Sequence, residues 1–282
     1  MKTTMLLFAL CTVAVYTRAQ EQNQEEKPLT PDQAMFEKGI TYYEEGHASS
    51  AASEFRKLMV EYPASPLVGR AHYNVGYISF QLKDYEMAKL VLNEILTKPY
   101  NERDSNDLME PYTLYKHHTC RLLAEIALEE KDYTAAEKYI HLFDKVYPYQ
   151  HFNEWAAYDM YLAVMKARMY EGKNQSRKAM EELLPHVFNN VLASNQRVLD
   201  EIIELLEKNY TAEAIREEFT QSLASLTFKK SKRRSQATIV LYGVTVPIED
   251  YFMDMEEDGR QLSESERYRE VVKENVLFKR FL

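Results

Sequence analysis

Apolar residues recur at three- and four-residue steps from Pro31 to about His186, broken at intervals by short polar stretches. This period predicts helices, and the breaks group them in pairs. In the first pair Met35, Gly39 and Tyr42 share one face, and Glu45-Gly46-His47 interrupts the run. Ala51, Phe55 and Leu58 form the facing stripe, which Pro63 ends. Thr30 or Asp32 is the expected N-cap, with Pro31 in the first turn. Gly39 and Ala51 together suggest close helix approach, with Tyr42 and Phe55 filling the space to either side. The second pair runs from His72, Val75 and Gly76 to Phe80, turns at Lys83-Asp84, and continues through Ala88, Leu92 and Ile95. In the third, Cys120, Leu123, Ala124 and Ala127 face Ala136, Ile140 and Phe143; Asp132 is the cap and Pro148 the stop. A looser fourth pair has Ala163, Ala167 and Tyr170, a Gly172-Lys173-Asn174 turn, then Ala179 and Leu183.

The pairs are copies of one pattern. Lys-Asp-Tyr-x-x-Ala occurs at Lys83–Ala88 and again at Lys131–Ala136. A small residue stands twelve positions before each alanine: Gly76 before Ala88, Ala124 before Ala136, and Gly39 before Ala51. One such repeat cannot bury its own apolar face, so the units are expected to stack. The alanines are 37, 48 and 43 positions apart, and the longest step predicts an exposed polar insertion at about Thr97 to Pro111.

These residues resemble the tetratricopeptide repeat family. Gly39, Tyr42, Ala51, Phe55 and Pro63 fall on its signature positions, as do Gly76 with Ala88, and Ala124, Ala136 and Pro148. The resemblance covers about Pro31 to His186 and, more weakly, reaches Phe219. It departs from the family in having no Trp at the first signature position and no uniform 34-residue step. The Tyr62-Pro63-Ala64-Ser65-Pro66 junction is similar to those of bacterial envelope repeat proteins, of the barrel-assembly lipoprotein and Tol-Pal coordinator types. The resemblance implies an all-α solenoid of antiparallel helix pairs. It also implies a concave groove lined by the first helix of each pair. Carried over by offset, that lining is Phe36, Ile40 and Tyr43, then Arg70, Tyr73, Tyr77 and Phe80, then Arg121 and Glu125, then Val164 and Arg168. Aromatic rings with interspersed arginine suit a peptide or partner helix. The family's chaperone-tail clamp needs Lys and Asn where Phe36 and Ile40 stand, so that specificity is not expected.

Beyond the repeats, two amphipathic helices are predicted, Val198–Lys208 and Thr211–Leu226. The pattern then changes. Leu226-Thr227-Phe228 and Thr238–Tyr242 are β-branched and aromatic, and read as a small hairpin continuing through Gly243 to Val246. The acidic stretch Glu249–Asp258 and a last helix, Ser263–Phe278, complete the chain. The expected organisation is a signal peptide at 1–19, a tether at 20–30, helical repeats at 31–225 and a β-containing appendage at 226–282.

The signal peptide rests on Lys2, an apolar run from Met5 to Val15, and Thr17-Arg18-Ala19 before an expected cut between Ala19 and Gln20. That run is too short to span a bilayer. A lipid anchor at Cys11 fits less well, because Leu10 precedes it. Cleavage removes Lys2 and Arg18, taking the formal charge from −9 to −11, which disfavours nucleic acid as a partner. It also leaves Cys120 as the one cysteine, so no intrachain disulfide is expected.

Candidate chemistry is sparse. His117, His118 and Cys120 lie close in sequence, but no CxxC or HExxH accompanies them, and neither a metal nor another cofactor is expected. No nucleophile motif or Gly-rich phosphate loop is present, and seven glycines leave little for one. The chain is therefore read as no enzyme. The basic run Lys229, Lys230, Lys232, Arg233 and Arg234 is read as a solvated hairpin tip, with an anionic membrane surface as the alternative contact. Asn174-Gln175-Ser176 and Asn209-Tyr210-Thr211 match glycosylation acceptors, which carry weight only in a host that uses them. The expected function is a protein-binding scaffold or assembly adaptor in the bacterial envelope, exported to the periplasm or the outer membrane. Its expected groove comprises Tyr43, Arg70, Tyr73, Tyr77, Phe80, Arg121, Glu125 and Arg168, and its partners are other envelope proteins or peptides. The alternatives are a barrel-assembly or Tol-Pal accessory, a helical subunit of a glycan- or nutrient-uptake complex, and an activity carried by residues 226–282.

Overall fold

A computed structural model describes residues 28–100, 114–148, 155–189, 193–229, 236–248 and 263–282. The described chain is mostly helical, with twelve α-helices and one small antiparallel sheet. It divides into two compact units, residues 1–72 and 73–282. The expected signal segment, the insertion beyond Tyr100, the basic run after Lys229 and the acidic segment 249–258 lie outside the described residues.

The first unit holds α1 (Pro31–Glu44), α2 (Ala48–Glu61) and the start of α3 (Val68–Gln81). Thr30 caps α1 in a capping box with Gln33, and Pro31 takes the first position, where its missing N–H costs nothing. Asp32 instead accepts a 2.6 Å hydrogen bond from Ser65 Oγ, which ties the start of α1 to the segment after α2. The small residue at 39 does admit a close approach from α2, where the Phe55 ring meets it. A Cβ there would stand 2.7 Å from Phe55 Cε1. Phe36, expected in the groove, is buried against Phe55 at 5.3 Å between ring centroids, so it belongs to the core. Glu54 is buried on α2 between Lys38 and Lys57, which hydrogen-bond its Oε1 at 3.3 and 2.9 Å. Those bonds, Lys57's foremost, hold its carboxyl below the usual range.

The second unit continues with α4 (Tyr85–Thr97), α5 (Tyr115–Glu129), α6 (Tyr133–His141), α7 (Trp155–Gly172) and α8 (Ser176–Leu183). Next come α9 (Gln196–Asn209) and α10 (Ala212–Ala224). α5 packs on α6 and α7 on α8, while α5 also touches α7, and α7 touches α9. Gly76 abuts Leu92, where an added Cβ would come within 2.6 Å of Cδ2. α6 ends in a wider turn, Leu142–Val146, in which Tyr147 N–H donates to the Leu142 carbonyl.

The repeated sequence motif has one backbone meaning. Lys83, Lys131 and Asn174 adopt left-handed φ of 59°, 60° and 56°, and Gly46 adopts 81°. Each stands five positions before the alanine of its pair. In both Lys-Asp-Tyr copies the lysine is the left-handed residue that ends one helix, the usual αL termination. The aspartate then caps the next: Asp84 accepts from Met87 N–H and Asp132 from Ala135 N–H. The tyrosine opens that next helix.

The C-terminal part is richer than a hairpin. Strands β1 (Thr227–Lys229), β2 (Gln236–Leu241) and β3 (Val244–Ile248) form a meander in the order β1-β2-β3. Tyr242 and Gly243, with φ of 50° and 75°, make the two-residue turn between β2 and β3. The expected single terminal helix is two, α11 (Glu264–Glu274) and α12 (Val276–Phe281). Asn275 is extended between them (φ −61°, ψ 139°) and caps α12. Ala237, Ile239, Leu241, Val246, Tyr268, Leu277 and Phe278 share one core with residues of α7–α10, among them Val164, which was expected in the groove.

Candidate functional site

In the second unit, α3, α5, α7 and α9 supply a column of aromatic rings and guanidinium groups. The Tyr73 and Tyr77 rings of α3 stack with centroids 6.2 Å apart and planes 17° from parallel. Arg121 of α5 hydrogen-bonds the Tyr73 hydroxyl. Its guanidinium also lies 5.2 Å from the Tyr161 ring centroid on α7. Arg197 of α9 lies 4.8 Å from that same ring. Each contact is a cation–π interaction, and together they fix Tyr161 through two arginines from neighbouring helices. The Arg121 Nε atom is buried and has no hydrogen-bond partner among the described residues.

Beside the column is a cavity of about 260 Å³. Phe80, Gln81, Lys83 and Tyr85 line it from the α3–α4 turn, Glu125, Leu128 and Glu129 from α5, Met165 and Arg168 from α7, and Arg197 from α9. Arg168 is already satisfied, since its Nε donates to Glu201 Oε1 at 2.6 Å. Glu125 is half-buried. Burial raises its pKa from the ordinary carboxylate value, although Arg121, Arg197 and Arg168 pull the other way. Burial and then the neighbouring Arg168 charge lower the pKa of Arg197.

Of the eight expected groove residues, Phe80, Glu125 and Arg168 line this cavity, and Tyr73, Tyr77 and Arg121 belong to the adjoining column. Tyr43 on α1 and Arg70 on α3 lie in the first unit, both half-buried. Tyr161, Arg197, Glu201, Tyr85 and Met165 were missed. A signal for Tyr161 existed, because it stands two helical turns before Arg168 and so shares its face. Arg197 and Glu201 are likewise one turn apart, on a helix beyond those that the groove assignment covers.

The His117 cluster is packing rather than chemistry. The His117 ring is buried, stacks on Phe143 at 4.2 Å, and donates from Nδ1 to the Tyr147 carbonyl at 2.7 Å. Burial lowers its pKa to about 4. Burial pushes the Cys120 thiol up to about 12, far from the reactive thiolate. Among the described residues no three His, Cys, Asp or Glu side chains are grouped as a metal site would need. No described helix is long and apolar enough to cross a membrane. No protein-family model, curated protein or solved structure matches the chain.

Proposed function

We propose that the chain is a non-enzymatic scaffold of tetratricopeptide-like helix pairs, exported to the cell envelope, that holds a peptide segment of a partner protein. The carrying observation is the column Tyr73–Arg121–Tyr161–Arg197, to which four alternate helices each contribute one side chain. Solenoid repeats present a continuous surface through residues at equivalent places of successive repeats. Tyrosine and arginine are also the residues that carry most binding energy at interfaces, because a rigid ring or planar guanidinium loses little freedom on contact. The supporting side chains all lie in the second unit. Export rests on the apolar run near the N-terminus, and the envelope setting on the Tyr-Pro-x-Ser junction.

The test is a crosslinked pull-down of the tagged full chain from its native envelope, alongside a Tyr77→Ala/Phe80→Ala variant. One defined set of envelope proteins should be enriched by the native chain and lost with the variant, while both proteins melt at similar temperatures. Equal recovery by both, or no enrichment over control, would remove the scaffold reading.

A further inference from the structure

Glu125 and Arg197 line the same cavity, yet neither has a hydrogen-bond or ion-pair partner among the described residues. They do not pair with each other, although opposite charges lining one cavity attract. Lys83 and Glu129 also line the cavity, while two neighbouring arginines are engaged elsewhere. Arg168 is bonded to Glu201, and Arg121 to Tyr73. Arg197 is exposed and Glu125 half-buried, so solvent reaches both, and a molecule that met both groups would gain a charge-assisted hydrogen bond at each.

We propose that this cavity reads an acidic residue within a partner peptide, taking its side-chain carboxylate on Arg197 and a neighbouring backbone N–H on Glu125. The assignment deepens the scaffold reading above and rests on it. Three features support it. The Arg197 guanidinium is held against the Tyr161 ring, which Arg121 holds in turn, so a planar two-pronged donor is in place before the ligand arrives. A donor fixed beforehand loses little entropy on binding. Glu125 can only accept when ionised, and an Asp or Glu residue brings a backbone N–H a short distance from its carboxylate. Phe80, Leu128 and Met165 offer apolar wall to a flanking side chain.

The same geometry argues against other ligands. A phosphate would place about two negative charges among Glu125, Glu129 and Glu201, where a carboxylate brings one. An uncharged sugar would offer Arg197 only neutral hydroxyl acceptors, a weaker match than a carboxylate. A metal ion would meet Arg121, Arg168 and Arg197 at close range. The volume, about 260 Å³, lies just below the range of about 300–1,000 Å³ that holds drug-sized molecules, and so suits one residue of an extended segment.

The test begins with immobilised full-length protein and a phage-displayed library of random twelve-residue peptides, in which no C-terminus is free. Selected sequences are resynthesised with amidated ends, and each Asp or Glu is exchanged for Asn or Gln. At one position the exchange should weaken binding by about tenfold or more in fluorescence anisotropy, as losing a charge-assisted hydrogen bond does. Arg197→Ala should erase the discrimination, so that acidic and amide peptides bind alike, and Arg197→Lys should restore part of it. Matching melting curves show that both variants are folded. If every exchange changes affinity less than twofold, or if Arg197→Ala still discriminates, the carboxylate assignment is wrong and the scaffold reading stands. If no peptide is selected above background, both fail.

Discussion

The ring of Tyr133, at the start of α6, lies on the bare backbone of Gly172, at the end of α7, where an added Cβ would overlap the ring. The sequence pattern places Gly172 in a turn, but it is the last residue of its helix, and the left-handed turn residue is Asn174. The contact joins two successive helix pairs through the tyrosine of the Lys-Asp-Tyr motif. Gly172→Ala should therefore destabilise the protein by about 1–3 kcal/mol through overpacking. In a Tyr133→Ala background the same change should become neutral or stabilising, since Ala is a better helix former than Gly by about 1 kcal/mol. Urea denaturation of the four proteins in this cycle gives the coupling. Equal effects of Gly172→Ala in both backgrounds would show that the two residues do not touch.

Lys131 ends α5 with φ at 60°, a conformation that crowds the Cβ of any L side chain. It is exposed at the surface. Lys131→Gly should stabilise the chain by about 0.5–1 kcal/mol, and Gly46→Ala, at the equivalent turn with φ 81°, should destabilise it by a similar amount. Thermal melting checks both signs. A lower melting temperature for Lys131→Gly would mean that the lysine makes a contact outweighing its backbone strain.

The helix pairs were legible because their signals are local. Capping by Asp84 and Asp132, the stop before Pro63 and the small residues at 39 and 76 each follow from a few adjacent side chains. The features that failed are not local. Whether Phe36 faces a groove or a core depends on where Phe55 arrives from a second helix. Arg197 gains its meaning from Tyr161, thirty-six positions earlier in the chain. The third strand was hidden because Tyr242 takes a left-handed turn position that Gly, Asn or Asp normally fills. The apolar pattern runs through Val271, Val272, Leu277 and Phe278 without marking the break at Asn275.

His117 makes stability depend on pH. Its folded pKa is lowered by burial to about 4, from an ordinary 6.5. Above pH 6.5 the ring is neutral in both states and carries no penalty. As pH falls from 6.5 towards 4, the unfolded chain takes up a proton that the folded one refuses, and stability is lost. At about 1.4 kcal/mol per pKa unit, the total approaches roughly 3 kcal/mol. His117→Phe keeps a ring against Phe143 but gives up the hydrogen bond to Tyr147, at a cost of about 1 kcal/mol near neutrality. The two stability curves should therefore cross between pH 6.5 and 4, with the variant more stable on the acid side. Parallel curves in chemical denaturation across this range would show that His117 is protonated in the folded protein.

Asn275 holds the C-terminus in its two-helix form. Its Oδ1 accepts from Leu277 N–H at 3.0 Å, capping α12, and its Nδ2 donates to the Val187 carbonyl at 3.2 Å. That carbonyl also receives Asn195 Nδ2 at 2.8 Å, so it keeps one donor when Asn275 is lost. Alanine at this position removes the cap and favours a single helix continuing from α11. Such a helix would rotate Leu277 and Phe278, both fully buried, out of the core they share with the sheet and α10. Asn275→Ala should therefore cost about 1–2 kcal/mol, the sum of a lost cap and a lost side-chain bond. Asn275→Asp keeps the acceptor and loses the donor, so it should fall between the two. The order of unfolding midpoints, Asn above Asp above Ala, separates capping from the bond to Val187. An alanine variant as stable as the native chain would mean that packing of Leu277 and Phe278 alone sets the break.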